Sequence, residues 1–358
     1  MKKPLIVTIT GIRPDFIRMA AVFRKLDERA EHVMIHTGQH YDDALSSVFF
    51  RDLEIRKPDF VLSSGRASAT QYENLAYLAA EVPALLEREK LDPRWIVFLG
   101  DSNSALASVP LFKEGYRIAH IEGGMRSYDR RMPEEVNRVC CDYVSDLIFA
   151  YTPLYKQRLL GEGKRDENVQ VVGNTITEIV RAHLPTEPRE RAGIVADIHR
   201  SENLSSAAQF RHILEFLQAV GERLDQPVRL VRFARAQRLI DAHGLLDGLD
   251  RIELAGPFGF VEYLRLQYHA AVIVSDSGTA QEEGPLLGVP VVVPRNATER
   301  PESVEHGNSI LVGETGPVAR MVDDTMRFLD SYRWTPQSVE WLGDGSTSQS
   351  IVNGLVRD

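Results

Sequence analysis

Cysteine is nearly absent from this chain of 358 residues: there are two, Cys140 and Cys141, and they are adjacent. Sequence neighbours are poorly placed to form an intrachain disulfide. A disulfide scaffold and a cysteine-based zinc site are therefore set aside, and with no signal-like start a reducing cytoplasm is expected. Long apolar runs are missing as well. The longest, such as Leu5 to Ile9 and Val289 to Val293, reach strand length, whereas a membrane span needs about 20 residues; no membrane partner is expected. Basic charge is not in excess either, because 42 lysines and arginines face 51 aspartates and glutamates for a net charge of -9. That field repels nucleic acid and anionic membrane, and an anionic small substrate would need a local cleft that reverses it. The histidines show no paired ligand spacing such as HExxH, so no metal is expected. The three-glycine dinucleotide fingerprint is missing, which disfavours bound NAD; no cofactor is expected. Nothing repeats at a fixed short period and no stretch is low in complexity, against solenoids and disordered tails.

What is present is a folded α/β chain. Hydrophobic residues make up 43% and charged residues 26%, near the average for globular proteins, and dividing the length by about 150 residues per domain gives two domains. Short β-rich runs alternate with helical periodicity: LIVTIT, a segment from Pro14, HVMIHT, a segment from Asp42, WIVFL, a segment from Asn103, RIAHI, and a segment from Pro133. This is the βαβ rhythm of a parallel sheet covered on both faces. It resumes in GIVAD, PVRLVRF, RIELA, AVIVS, VPVVV and SILVG. Between the two series AHLPTEPRER is polar and carries two prolines, which places a hinge between Thr177 and Arg191 and a first domain over residues 1–177. Two doubly wound sheets are expected. Ligands bind beyond the carboxyl ends of such strands, so two sheets facing each other would make a deep cleft.

The first strand ends at Thr10, and GIRPDFIR follows with Gly11 for a tight turn, Arg13, and Pro14 suited to a helix's first turn. Amides at that helix N-terminus with Arg13 and Arg18 could hold a diphosphate; a surface turn with a solvated arginine would read the same way. WIVFLG delivers Asp101 and RIAHI delivers Glu122, at the strand ends where α/β enzymes keep catalytic groups. Glu134 and Glu135 follow Pro133 in a helix's first turn, where carboxylates also offset the helix dipole. Several carboxylates near an anion site can abstract and return protons where burial or repulsion raises their pKa values.

In the second half a strand ends at Asp197 and His199-Arg200-Ser201-Glu202-Asn203 follows. A lone histidine is usually structural, but one at a strand end beside an arginine suits a phosphate or a leaving group. SDSGTAQEEGPLLGVPVVVPRNATERPE concentrates more features. Ser275 to Gly278 form a turn into a helix whose amides and Ser277 hydroxyl can take phosphate oxygens. Glu283, farther along, suits ribose hydroxyls, and Arg295 and Arg300 follow the next strand. Any one of these is common between a strand and a helix. Their presence in one short stretch is not.

GIRPDFIR, TGQHYD, GDSNSALAS, HIEGGMRSYDRRMPEEVNR, SDLIFAYT, GNT, HRSEN, SDSGTAQEEGPLLGVP and TERPE, in this order over nearly the whole chain, closely resemble the UDP-N-acetylglucosamine 2-epimerase family, best known from non-hydrolysing bacterial and archaeal enzymes. The resemblance implies a fold like the B-type glycosyltransferases: two Rossmann-like domains, over 1–177 and 178–346, with a sugar nucleotide between them. A last helix at 347–358 would return to the first domain, and a homodimer is expected. By the resemblance, Arg13 and Arg18 lie near the diphosphate, Asp101, Glu122 and Glu134 match the catalytic carboxylates, and His199 matches a histidine near the leaving diphosphate. Ser277, Gly278 and Thr279 match the phosphate-binding segment, Glu283 the ribose ligand, Arg300 a further active-site arginine, and Pro257 and Phe258 the uracil-binding wall.

Departures from the family pattern carry expectations too. Lysine is usual in place of Arg18, glycine in place of Thr279 and isoleucine in place of Ala280; Arg18 keeps the charge but changes reach and fork geometry. Both Arg18 and Thr279 could shift the preferred sugar or slow turnover. A histidine that helps some members bind a second, activating substrate is replaced by Phe233, followed by Ala234, and Tyr41-Asp42 after TGQH also differs. Substrate activation is expected to be weak or missing unless Gln39, Tyr41 and Arg200 rebuild the site. The implied reaction interconverts UDP-GlcNAc and UDP-ManNAc by anti elimination of UDP across C1 and C2, which gives a 2-acetamidoglucal, followed by readdition. Which carboxylate is base and which acid stays open. The alternatives are a hydrolysing epimerase releasing ManNAc, an epimerase of a modified UDP-2-acetamido sugar, a glycosyltransferase, which the carboxylate set argues against, and a non-catalytic sensor, which would be expected to lose Asp101, Glu122 or His199.

Overall fold

The computed structural model describes residues 3–39, 50–64 and 70–357; His40, Tyr41 and Asp42 of the TGQHYD motif, and the start of the helix expected from Asp42, lie outside them. Thirteen strands are found among the described residues, every one paired in parallel within one of two sheets. The first sheet holds β1 (Leu5–Thr10), β2 (Glu31–His36), β3 (Phe60–Val61), β4 (Trp95–Leu99), β5 (Ile118–Ile121), β6 (Leu147–Ala150) and β7 (Val169–Val171), in the order β3-β2-β1-β4-β5-β6-β7. The second holds β8 (Ile194–Asp197), β9 (Val228–Val231), β10 (Ile252–Ala255), β11 (Val272–Ser275), β12 (Val291–Val293) and β13 (Ser309–Leu311), in the order β10-β9-β8-β11-β12-β13.

The strands form where apolar runs are nearly continuous, because a parallel sheet is buried on both faces: all five residues of β4 and all four of β5 and β8 are buried. Both sheets reverse their strand order beside their first strand, between β1 and β4 and between β8 and β11. Chain leaving the carboxyl ends of these four strands diverges to opposite faces and opens a crevice. In-register pairing of Leu99 with Ile121 brings Asp101 and Glu122 out together, and pairing of Ser275 with Asp197 does the same for Asp276 and His199.

The chain divides into two compact units, residues 1–179 with 342–358, and residues 180–341. In the first, Val7, Ile9, Ile96, Phe98 and Ile118 pack with Leu78, Val82 and Leu85 of the Gln71–Arg88 helix. That helix starts at a capping box in which Thr70 accepts from Glu73 N at 3.3 Å while Glu73 accepts from Thr70 N at 2.9 Å. The Thr347–Val356 helix, with Ile351, Val352 and Leu355 buried, packs on the Arg13–Arg29 helix. In the second unit Ile194, Ala196, Val228 and Val274 pack with Phe210, Ile213 and Leu217 of the Ala207–Leu224 helix. No helix among the described residues is long and apolar enough to cross a membrane.

Candidate active site

At the end of β1 the chain turns at Gly11, where an added methyl would overlap the side chains of Ser104 and Thr37. The Arg13–Arg29 helix follows. Asp15 fastens this turn: its Oδ2 accepts from Gly11 N at 2.9 Å and from Ile12 N at 3.2 Å. Burial pushes the Asp15 carboxyl up to about 7, Asp101 adds to the rise, and the two backbone hydrogen bonds and Arg18 oppose it. Arg13 stands half-buried on the same turn.

Asp101 and Glu122 are joined through arginine. Arg138, on the Pro133–Val144 helix, is 1% exposed; its Nη2 donates to Asp101 Oδ2 and reaches Glu122 Oε1 at 3.4 Å. The other Glu122 oxygen pairs with Arg18, so Arg18 meets a carboxylate of the cluster. Two carboxylates and two guanidiniums offset one another where each alone would be costly to bury. Asn137 donates to the Asp101 carbonyl at 2.9 Å and fixes the same segment. The helix-start pair divides its work. Glu135 fastens the loop before the helix, accepting from Ser127 N at 3.0 Å, Ser127 Oγ at 2.9 Å and Tyr128 N at 3.1 Å, while no side chain caps the helix start. Glu134 is half-buried and makes no hydrogen bond or ion pair with another described residue. Sequence reasoning missed Arg138 and Asn137; the available signal was the spacing in MPEEVNR, which sets Arg138 four residues after Glu134 on one helix face.

In the second unit His199 follows β8. Its Nδ1 is 2.8 Å from Asp197 Oδ1 and its backbone N–H donates to Asp276 Oδ1 at 3.0 Å. Desolvation lowers the proton affinity of the imidazole, but Asp197 and Asp276 more than offset it and hold the pKa above its ordinary value. The Phe233 ring lies 4.9 Å from the His199 ring. Asp197, His199 and Asp276 are the group of metal-type side chains found among the described residues. Their oxygens already accept protein donors: Asp276 from Arg200 N at 3.0 Å and Asn203 Nδ2 at 3.1 Å, and Asp197 from the Tyr263 hydroxyl at 3.1 Å.

The SDSGT turn leaves β11 with Ser277 N donating to Ser275 Oγ at 3.0 Å, and the Ala280–Leu287 helix starts after Thr279. Ser277 and Thr279 are half-buried, while a methyl at Gly278 would overlap the Arg300 guanidinium. Arg300 Nε donates to Glu282 at 2.8 Å and its Nη1 to Glu299 at 2.9 Å. Glu299 also accepts from Arg295 at 3.1 Å and Arg200 at 3.3 Å. Three guanidiniums therefore gather around two buried carboxylates beside the turn, and the turn itself carries a third, Asp276, which accepts from Arg200 N. Glu299 was not singled out from sequence, although it lies within TERPE, and Arg200 was named only as the arginine beside His199 and as a residue that could rebuild an activating site. Glu283 is 5% exposed and accepts from Gln267 at 3.0 Å. Phe258, next to Pro257, lies 6.3 Å from the Tyr263 ring in near-parallel stacking, and burial pushes the Tyr263 hydroxyl well above its ordinary range, with Asp197 and Glu283 adding to the rise.

The family described as UDP-N-acetylglucosamine 2-epimerase matches residues 24–356. A UDP-N-acetylglucosamine 2-epimerase from Methanocaldococcus jannaschii is 35% identical over 86% of this chain and 87% of its own. A UDP-2,3-diacetamido-2,3-dideoxy-D-glucuronate 2-epimerase from Pseudomonas aeruginosa is 33% identical over 86% and 88%. Among solved structures, the Methanocaldococcus jannaschii UDP-GlcNAc 2-epimerase in complex with UDP-GlcNAc and UDP superposes with a TM-score of 0.90 at 31% identity, covering 98% of this chain and 99% of that one. A glycosyltransferase of kitacinnamycin, 14% identical with full coverage of both chains and a TM-score of 0.62, shares the fold alone.

Proposed function

Because the chain belongs to the UDP-N-acetylglucosamine 2-epimerase family, we propose that it interconverts UDP-GlcNAc and UDP-ManNAc by anti elimination of UDP and its readdition to a 2-acetamidoglucal, without net hydrolysis. The observation that carries this reading is the ion-paired set in which half-buried Asp101 and buried Glu122, at the ends of β4 and β5, meet the buried guanidiniums of Arg18 and Arg138 from two helices. The hydrogen on C2 adjoins no carbonyl, so simple abstraction is too difficult, and a leaving group on C1 makes its removal feasible. Carboxylates are then needed to remove and return a proton, and Asp101, Glu122 and Glu134 are assigned that work. The leaving diphosphate needs positive charge and N–H donors. Arg13, Ser277, Gly278, Thr279 and Arg300 are assigned to it, with His199, whose Nδ1 is engaged by Asp197, leaving Nε2 for a phosphate oxygen. Glu283 is assigned to the ribose, and Pro257 and Phe258 to the uracil.

The similar identity to an epimerase of a diacetamido uronate favours a second reading, in which the substrate is a modified UDP-2-acetamido sugar. Both readings are tested by incubating the enzyme in heavy water with each UDP sugar. Deuterium at C2 with the UDP-linked epimer as product supports the proposal for that sugar. Free ManNAc and UDP accumulating from the outset would make the enzyme hydrolytic, and no exchange with either sugar would refute both readings. Residues 1–177 and 178–346 are proposed as the domains, with 347–358 belonging to the first. The unpaired state of Cys140 and Cys141 supports a cytoplasmic location. Val136, Val139 and Tyr143, exposed along one helix, support a homodimer, which sedimentation would test.

A further inference from the structure

One buried imidazole is connected to every element that presents a carboxylate of the first unit's cluster. His120 lies on β5, two residues before Glu122, and has no solvent exposure. Its Nδ1 is 2.7 Å from Asp142 Oδ1 and its Nε2 is 2.8 Å from the Gly100 carbonyl oxygen. Gly100 immediately precedes Asp101, and Asp142 belongs to the Pro133–Val144 helix that also bears Glu134, Asn137 and Arg138. A carbonyl oxygen only accepts. Asp142 is held as an acceptor too, because its other oxygen takes the Gly124 amide at 3.0 Å and pairs with Arg126 at 2.8 Å. A neutral imidazole has one N–H, so the two contacts are satisfied together only by the doubly protonated ring.

The surrounding charges agree with that state. Desolvation lowers the proton affinity of His120, but Cys141 and Asp142 more than offset it, and the pKa is pushed up to about 10. Behind Asp142, Arg126 is clamped by Glu162 at 3.0 and 2.6 Å, and Lys164 also feels Asp142 and Cys141.

We propose that His120 is a positioning residue for the reaction: as a double donor it ties the end of β4 and the Pro133–Val144 helix to β5, and so sets Asp101, Glu122 and Glu134 relative to one another. The inference rests on the epimerase reading of that carboxylate set. Glu122 supplies the mechanical reason. Its φ of +73° is in the left-handed region, which a residue with a β-carbon occupies at a cost and keeps only where its surroundings over-determine it. The Glu122 amide is held by the Phe149 carbonyl at 3.0 Å, and the two His120 bonds lie two residues upstream. A misplacement of about 1 Å between reacting groups costs on the order of 100-fold in rate, and it leaves the nucleotide-binding residues of the second unit untouched.

His120→Gln loses the charge and replaces two donor nitrogens on opposite edges of the ring with a single amide nitrogen, so it can reach one of the two acceptors. The expected result is a folded enzyme whose kcat falls on the order of 100-fold while KM and the Kd for UDP stay within about twofold, with C2 deuterium exchange falling in parallel. A lower denaturation midpoint with kcat per folded site unchanged would reduce His120 to packing and overturn the proposal. If the variant does not fold, nitrogen-15 NMR of the unaltered enzyme decides the matter: two ring N–H groups on His120 from about pH 6 to about pH 8 are expected, and a single N–H, the neutral tautomer, overturns it. Asp101→Asn and Glu122→Gln belong in the same assay. Turnover retained by both would sink the carboxylate reading and this inference together. Turnover lost in both but kept by His120→Gln would sink this inference alone.

Discussion

Arg18 and Glu122 form an ion pair in which both side chains are almost fully buried, 5% and 3% exposed. Removing one partner of a buried pair costs about 3–5 kcal/mol where nothing else compensates the charge, and less here because Arg138 still reaches Glu122 at 3.4 Å. Arg18→Met should therefore lower the denaturation midpoint and abolish turnover. Arg18→Lys restores the charge but not the planar fork, so it should fold and turn over more slowly, with a loss of about 1.5–3 kcal/mol for one charged hydrogen bond. Equal activity of the two variants would show that the ion pair is not what Arg18 contributes.

Nucleotide affinity should reside in the second unit. Glu283→Ala and Arg300→Ala should each weaken UDP binding by about 1.5–3 kcal/mol, the range for hydrogen bonds to charged groups. Arg300→Ala also leaves Glu282 and Glu299 without the guanidinium they share. Calorimetry giving the same UDP affinity for the unaltered enzyme and both variants would contradict the assignment.

Much of this was readable in the sequence, and the exceptions have physical reasons. The short, nearly continuous apolar runs and their βαβ rhythm marked the two parallel sheets, because strands buried on both faces are apolar almost throughout. β3 escaped notice because it has two residues, and β7 because it has three, ending half-exposed at Val171; β6 was quoted within a motif but not taken as a strand. Asp101 and Glu122 were legible because strand ends mark them. The partners that hold them were not: Arg138 and Asn137 come from a helix more than thirty residues after Asp101, and only the folded chain shows that Arg18 meets Glu122. Glu299 was hidden for the same reason, since a carboxylate beside Arg300 in TERPE does not disclose that it also gathers Arg200 and Arg295.

The turn after β1 should carry a pH signature. The Asp15 carboxyl ordinarily titrates near 3.8, and burial pushes it up to about 7 in the folded chain. Between these values the unfolded chain has lost the proton and the folded chain has kept it. Folding then binds a proton, so this group's contribution to stability falls as pH rises from about 4 to about 7 and is level outside that window. Asp15→Asn keeps an oxygen to accept from Gly11 and Ile12 but cannot ionise. Denaturation midpoints measured across the window should fall less with pH in the variant; identical slopes would contradict the shift.

Kinetics should be hyperbolic in UDP sugar. The Phe233 ring packs 4.9 Å from His199, where it can offer apolar contact but no hydrogen bond to a phosphate or sugar hydroxyl. A second, activating sugar nucleotide would lack that anchor. A sigmoidal rate curve that persists when the oligomeric state is held fixed would show that Phe233 did not remove the second site.

The central claim is that UDP leaves and returns during epimerisation. It is tested most directly with UDP-GlcNAc carrying oxygen-18 in the bridge between C1 and the β-phosphorus, incubated with the enzyme and analysed in the recovered nucleotide sugars. Elimination frees the β-phosphate to rotate before readdition, so the account predicts that label appears in its non-bridging positions as the UDP-linked epimer forms. Epimerisation with the label retained wholly in the bridge, and with neither UDP nor 2-acetamidoglucal detected when turnover is quenched, would contradict it.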